Sequence, residues 1–357
     1  MRRELGMFVA LVVMCLGLYV SNHDFLGSSN VQSTSREIGM LGIFSIGIAF
    51  VIITGGIDLS IGSIVGLTGV IIAKISGLDS GGLGWSLWIG IPVALLVAAL
   101  IGLIQGLLIT RLKLQSFIVT LGFMLLLRGV SQTIVRGGTL SIGEIPLAKL
   151  ANGGLTWHGA VIVNFPVLIC LAVILIAGYV LHFTVFGRYV YAIGGNRDAA
   201  EYSGIPVDTV ETLTYVISAL TGGLAGVCYA SSIGQMSQQV GVAYELYAIA
   251  AAVLGGVSLR GGEGTVIGVI IGSCIMRVID NGINMFQLFY RSEGMRKIYR
   301  LDTNWTYIII GGVILIAVIL DQIVHMVQAA RRTRRAGAAA AAPPPPALGT
   351  PPPAAAH

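Results

Sequence analysis

The chain has 357 residues, 55% of them hydrophobic and 10% charged, with mean hydropathy +0.88 and a formal net charge of +5. Soluble domains carry roughly 25% charged residues, so this composition excludes a globular protein in water and reads as an all-α polytopic membrane protein. The basic balance does not point to nucleic acid: Arg331, Arg332, Arg334 and Arg335 alone supply four of the five net charges, at the end of the last apolar run, where they read as a cytoplasmic anchor beside anionic lipid.

A membrane span needs about 20 mostly apolar residues. Ten candidates follow in chain order, at about 5–20, 37–54, 59–77, 85–110, 117–135, 161–183, 211–231, 245–259, 264–281 and 304–325. Several are short or rich in glycine, so some are expected to be broken or re-entrant. The first has the charged start and apolar centre of a signal peptide, but no small-x-small cleavage site follows, and it is read as an uncleaved span.

The second and third spans meet at "GGIDLSIG", Gly55–Gly62, where Asp58 is the only ionisable side chain between Ile38 and Ala73. A charge near a helix centre costs roughly 2.5–3.5 kcal/mol on insertion scales, so such residues face protein or water. Two compatible readings stand. Gly55, Gly56, Asp58 and Ser60 form a helix break beside a permeation path, or Asp58 caps the following helix by accepting from the backbone N–H groups of Ser60 and Ile61.

Further along, "FGRYVYAIGGNRDAAEYSGIPVD" (186–208) is the longest polar stretch on the side taken as cytoplasmic. Asn196 suits the N-cap of a short helix over "RDAAEYSG", stopped by Gly204 and Pro206. Such a helix is either an ordinary solvated loop or a docking element for a soluble partner. The next polar stretch, "SSIGQMSQQVGVAYE" (231–245), holds three glutamines and three serines. Gln235 and Gln238 are candidates to line a route for polyhydroxylated solutes, or the stretch is an exposed loop. In "LGGVSLRGGEGTVIG" (254–268), Arg260 and Glu263 form an exposed ion pair of little energetic consequence or fix a tight turn. "GGVSLRGG" at 255–262 echoes "GGIDLSIG" at a spacing of 200 residues, consistent with a parallel duplication or with chance in a glycine-rich chain.

With the N-terminus inside, cytoplasmic loops receive Arg2, Arg3, Arg111, Lys113, Arg188, Arg197, Arg260 and the 331–335 arginines, as the positive-inside tendency expects. Arg36, Arg136, Lys149 and the group Arg291, Arg296, Lys297 and Arg300 fall outside, and the last group opposes the assignment. Residues 1–330 are expected to form one transmembrane domain. Residues 331–357 are the basic anchor and an Ala/Pro-rich tail that carries seven of the eleven prolines and is expected to be disordered.

Catalytic signatures are lacking. Cys15, Cys170, Cys228 and Cys274 sit in apolar stretches without C-x-x-C spacing, and the five histidines form no metal-binding pattern. No G-x-x-x-x-G-K-[ST] is present, so ATP hydrolysis is not expected in this chain.

Four motifs, in order, resemble one family: "TGGIDLSIGSIVGLTG", "QSFIVTLGFMLLLRGV", "FGRYVYAIGGNRDAAEYSGI" and "YELYAIAAAVLGGVSLRGGEGTVIGVIIG". They are similar to the ribose/xylose/arabinose-type permeases of bacterial ABC sugar importers, and the resemblance covers about residues 35–285 and continues through the last span. It implies a permease, not an enzyme, in the bacterial inner membrane with both termini cytoplasmic. The implied partners are a cytoplasmic ABC ATPase that binds the ATP and Mg, a periplasmic or surface sugar-binding protein, and a second permease chain, identical or related. It implies that Asn196, Arg197, Asp198, Glu201, Tyr202 and Gly204 belong to an ATPase-coupling helix, and that the Gly55–Ser63 motif lies near the translocation path. The implied mechanism is alternating access, importing a monosaccharide or related small polyol.

The chain departs from the family at "FYRSEGMRKIYRLDT" (289–303), expected to face the binding protein or to lie on the lipid surface as an amphipathic helix, and in its Ala/Pro tail. The rival readings are an ion-gradient-driven secondary transporter, which would call for a buried acid cluster, and a membrane enzyme or scaffold.

Overall fold

The computed structural model describes residues 2–77, 82–142, 153–157, 160–285, 287–292 and 295–300, with scattered positions between 305 and 326. Residues 1–314 form one compact unit; in the second, from Leu315, the described positions are helical. The expected last span, 304–325, is thus described only in part. The boundary at residue 331 and the Ala/Pro tail lie outside the described residues.

Seven described helices are long and apolar enough to cross a bilayer: α1 (Arg2–Ser21), α2 (Ser28–Ile53), α4 (Leu87–Arg111), α5 (Ser116–Val135), α6 (Phe165–Phe183), α9 (Val207–Ile233) and α11 (Val266–Met285). Two further apolar helices are shorter, α3 (Ile61–Ser76) and α10 (Tyr244–Leu254). At 1.5 Å per residue they reach only about 24 and 16 Å, short of a hydrocarbon core of about 30 Å. These two are the broken spans of the sequence pattern. The span placed at 245–259 ends early, because Gly255 caps α10 and Gly256 turns left-handed with φ 82°.

The centre is built by α2 and α9. Fifteen consecutive residues of α2, Gly39–Ile53, are buried, the mark of a helix that is apolar all round and enclosed by its neighbours. Helix α9 packs against α4, α2 and α3, and α10 against α11 and α2, while α1 rides on the outside of α11. Small residues permit the close approach: Gly102 and Gly106 of α4 face the backbone of α9 at Tyr215 and Thr212. Near the end of that contact the hydroxyls of Thr110 and Thr212 lie 3.0 Å apart.

Two short helices, α7 (Val185–Gly195) and α8 (Arg197–Tyr202), connect α6 to α9. Three two-stranded antiparallel pairs add to the all-α frame. They are β1 (Leu140–Ser141) with β4 (Gln235–Met236), β2 (Gly154–Trp157) with β3 (Ala160–Asn164), and β5 (Gln287–Ser292) with β6 (Met295–Arg300). The last pair corrects one expectation. The described residues of the 289–303 segment are not helical: Gln287–Ser292 and Met295–Arg300, with Phe289, Tyr290, Ile298 and Tyr299 among them, pair as strands. Likewise the sixth span begins at Phe165, with Pro166 in its first turn, because residues 160–164 are taken by β3.

The helices sort the loops onto two ends. At one, here the loop end, residues 53–57, 111–116, 184–208 and 255–265 meet; Glu4 at the start of α1 also belongs there, accepting from the Thr265 hydroxyl at 2.7 Å. At the opposite end lie the β1–β4 and β2–β3 pairs, the start of α2 and the end of α11.

Candidate functional site

Between α2 and α3 the chain leaves helical geometry over residues 56–60. Helix α2 stops because Gly55 adopts φ 89°, and the Gly55 and Gly56 N–H groups fold back onto the carbonyls of Ile52 and Val51, both at 2.9 Å. The released strand carries Asp58 into the interior, where it is fully buried. A buried carboxylate is tolerable only when its lone pairs are filled, and here they are. Asp58 Oδ1 accepts from the Ser60 N–H at 2.8 Å and the Ser60 hydroxyl at 2.7 Å, and Oδ2 accepts from the Ser218 hydroxyl of α9 at 2.7 Å. Gln105 of α4 extends the node, donating through Nε2 to Ser60 Oγ at 2.7 Å.

The expected capping of α3 by Asp58 is not found, because Ser60 is itself the N-cap and no side chain accepts from the first-turn N–H groups. The Ser60 N–H is a donor, but the hydroxyls of Ser60 and Ser218 stand where a second backbone donor at Ile61 was expected. Asp58 ties the break to α9 directly and to α4 through Ser60 and Gln105. Gln105 and Ser218 were not singled out in the sequence, although each is a polar residue inside an apolar run. That pattern was the available signal.

Around this node the break is gripped from both sides. On α5, Ser116 accepts from the Ile57 N–H at 3.3 Å, and the Thr120 hydroxyl donates to the Ile57 carbonyl at 3.2 Å. Ahead of it, α3 abuts the start of α10: a Cβ on Gly62 would overlap the Gly241 carbonyl and the Glu245 carboxylate. Glu245 is buried beneath this contact, and Arg128 of α5 donates to the Gly241 carbonyl at 3.2 Å. The two glycine motifs that echo each other also meet: a Cβ on Gly261 would press on the Gly55 nitrogen, and the Gly262 N–H donates at 2.8 Å to the carbonyl of Ile53, just before the first motif.

Gly194, the penultimate residue of α7, sits in the same joint. A Cβ there would collide with the Ile53 carbonyl and the Gly262 nitrogen, so no other residue fits without moving backbone. Three residues later α8 begins. Asn196 caps it, its side chain accepting from the Ala199 N–H at 2.9 Å, and Gly204, at φ 82°, ends the turn that follows. The helix is shorter than "RDAAEYSG", closing at Tyr202 with Ser203 as its C-cap.

The side chains of α8 divide into two sets. Arg197 folds back onto α9, donating through Nε to Glu211 at 3.0 Å and through Nη2 to Asp208 at 3.2 Å, and also bonds Glu201 at 3.3 Å. The Glu211 hydrogen bond, against the opposing burial, raises the Arg197 pKa above its ordinary value. Lys113 joins from the α4–α5 loop, 3.0 Å from Asp208. Asp198 and Tyr202 are exposed, Tyr202 at 92%, and Glu201 is exposed while bonding Arg197 at the edge of the cluster. A cavity of about 310 Å³ opens between the cluster and the break, walled by Gly55, Gly56, Ser116, Arg197, Glu211 and Tyr215.

The remaining sequence candidates lie elsewhere. Gln235 is exposed in β4, and Gln238 is half-buried beside Ser63, Arg128 and Ser131. Gln235 lies with β1 at the end opposite Asp58, whereas Gln238 borders Ser63 and Gly66 in the first two turns of α3. No group of three or more His, Cys, Asp or Glu side chains able to hold a metal occurs among the described residues.

The comparisons accord with this architecture. The model of the family described as the branched-chain amino acid transport system / permease component matches residues 30–318. The chain is 35% identical to the ribose import permease protein RbsC of Escherichia coli (strain K12), over 88% of this chain and 92% of that one. It is 31% identical to the L-arabinose ABC transporter permease protein AraH of Azospirillum brasilense, over 89% and 87%. It is 32% identical to the xylose transport system permease protein XylH of Escherichia coli (strain K12), over 87% and 89%. No solved structure matches. With seven described helices long and apolar enough to cross a bilayer, two shorter ones and a family match over most of its length, the chain belongs to the permease-component family that includes these ribose, arabinose and xylose permeases.

Proposed function

We propose that this chain is the membrane-spanning permease of a binding-protein-dependent ABC importer, moving a monosaccharide or related small polyol across the bacterial inner membrane by alternating access. The power comes from a separate ATPase that binds ATP and Mg; this chain contributes no catalytic residue. The observation that carries the reading is the α7–α8 joint. A short capped helix presents an almost fully exposed Tyr202, while its base at Gly194 touches both the end of α2 and the 255–262 turn. Force applied at Tyr202 is thereby delivered to the break that holds Asp58, through backbone contacts too close to absorb it.

In this reading Asn196, Asp198, Glu201, Tyr202 and Gly204 form the ATPase-facing coupling element, with Arg197 as its internal anchor. The loop end is cytoplasmic, the opposite end faces the sugar-binding protein, and a second permease chain completes the path. The relatives named for ribose, arabinose and xylose transport support the choice of a pentose-sized solute. The permease then needs only two packings of similar energy that its partners bias.

The test is co-purification of the ATPase with wild-type chain and with Tyr202→Ala/Glu201→Arg. Loss of the ATPase in the variant alone, with the permease still folded, is the expected result. Failure of the wild-type chain to bind any ATPase while it still moves solute down an ion gradient would replace this reading with the secondary transporter.

A further inference from the structure

Helix α10 is too short to cross the bilayer, and the chain that leads into it completes the crossing. Its 11 residues reach about 16 Å from the loop end. Its start at Tyr244 therefore lies near the middle of a hydrocarbon core of about 30 Å. The link from α9, residues 234–243, runs inward to that point from the β1–β4 pair at the opposite end without forming a helix. It passes along one glycine-bearing face of α3: Met236 lies against Gly69, the Val240 carbonyl against Gly66 and the Gly241 carbonyl against Gly62. Gly241, at φ 84°, and Ala243, at φ 63°, then turn the chain into α10.

The link has a covered side and an open one. Met236, Gly241 and Glu245 are buried, whereas Gln235, Gln239, Val242 and Leu246 are exposed. Backbone that leaves helical geometry at membrane depth is not laid against lipid; it persists where protein buries it or water reaches it. Arg128 decides between the two. It sits in the middle third of α5 and reaches across to the link, where Nη2 donates to the Gly241 carbonyl at 3.2 Å. Among the described residues that is the guanidinium's one hydrogen bond, and the residue is half-buried, so its other donors open at the surface of the bundle. A cation at this depth needs water at those donors. Ser63, Ser131, Ser237 and Gln238 continue the polar surface in the crevice beside it.

We propose that residues 235–243 form a water-facing wall of the solute path in the half away from the coupling helix, with Arg128 as the positioning residue that holds this wall on α3. Arg128 fixes the Gly241 carbonyl, and the same carbonyl packs on Gly62, just after the Asp58 break. A shift of α3 at the break thus displaces the Gly241 turn or strips it from Arg128. The exposed residues of α4 in its middle turns, Leu96, Leu100 and Leu103, are by contrast apolar and belong against lipid. This assignment rests on the transport reading above and locates one half of the path.

The test is labelling of Gln239→Cys and Val242→Cys, each in the full chain in lipid nanodiscs, by a charged, membrane-impermeant methanethiosulfonate. The wild-type chain, with its 4 native cysteines, sets the background. Leu100→Cys on α4, at a similar depth by helix rise, is the lipid-facing control. Both link variants are expected to react at least about tenfold faster than this control, because a charged reagent is excluded from hydrocarbon. Adding Arg128→Met is expected to raise the rate at Val242→Cys about tenfold, since loss of a charged hydrogen bond frees the turn. Arg128→Lys keeps a charged donor and is expected to bring the rate back towards that of the unaltered background. Leu100→Cys stays unreactive beside Arg128→Met when the fold is intact, and Arg128→Gln takes its place should Arg128→Met fail to fold. Link variants no faster than the control overturn the wall, and a rate at Val242→Cys indifferent to Arg128 overturns the positioning role. ATPase-driven uptake in proteoliposomes separates the two readings. Uptake without link labelling keeps the importer and rejects the wall; labelling without ATPase-driven uptake keeps the wall and rejects the importer.

Discussion

Asp58 shows how a single carboxylate is kept in an apolar interior. Three hydrogen bonds reach its two oxygens, and every side chain in the node, Ser60, Gln105 and Ser218, is itself fully buried. Removing the acceptor would orphan three donors at roughly 1–3 kcal/mol each. Asp58→Ala is therefore expected to lose at least about 3 kcal/mol of stability, whereas Asp58→Asn keeps an acceptor for Ser60 and loses about 1 kcal/mol. Thermal unfolding in detergent separates the two; equal midpoints would mean that the node contributes nothing. At the same scale Arg197 differs from its neighbours on α8. Glu211, with a side chain 13% exposed, depends on it for charge compensation, while Glu201, at 59%, does not. Removing one partner of a largely buried pair is the damaging change. Arg197→Ala should lower the unfolding midpoint more than Glu201→Ala, and the reverse order would place Arg197 in docking alone.

At the scale of elements, the two glycine motifs join four segments: the end of α2, the break, the 255–262 turn and the α7–α8 corner. Gly194→Ala forces the Ile53 carbonyl and the Gly262 nitrogen apart, and Gly62→Ala does the same between α3 and α10. Gly194→Ala is expected to retain membrane insertion and ATPase binding but to reduce uptake at least about tenfold, a barrier change of about 1.4 kcal/mol. Normal uptake in that variant would show that the corner is not a mechanical link. Much of this level was legible in the sequence. Hydrophobic run lengths marked ten spans without separating the seven long helices from the two short ones, and Asn196 and Gly204 marked α8. What escaped were partners distant along the chain: Gln105 and Ser218 reach Asp58 across 45 residues (through Ser60) and 160 residues. Arg277 and Asp280, inside a span, were a visible oddity whose counterpart Glu37 lies in another helix. Periodicity reports which face of a helix is apolar, not which neighbour receives a polar exception. The β5–β6 pair was missed for a related reason, since six-residue strands of mixed polarity have no distinctive run length.

At the largest scale, residues 1–314 form a scaffold of long helices enclosing two shorter ones, with ionic clusters at opposite ends of the bundle. Lys113 and Arg197 at the loop end agree with the proposed cytoplasmic placing of that end and of the start of α1. Reporter fusions at residue 1 and after Val135 should therefore read cytoplasmic and periplasmic, and the opposite pattern would invert the assignment of both ends. The claim on which the rest depends is that this chain converts ATPase closure at α8 into solute movement. The most direct measurement is ATP hydrolysis by the chain and its ATPase in liposomes, with and without loaded binding protein, compared between wild type and Tyr202→Ala. Hydrolysis stimulated by pentose-loaded binding protein in wild type, and lost with the exposed tyrosine, is the predicted result. Hydrolysis indifferent to the loaded binding protein, or unchanged in the variant, would contradict it.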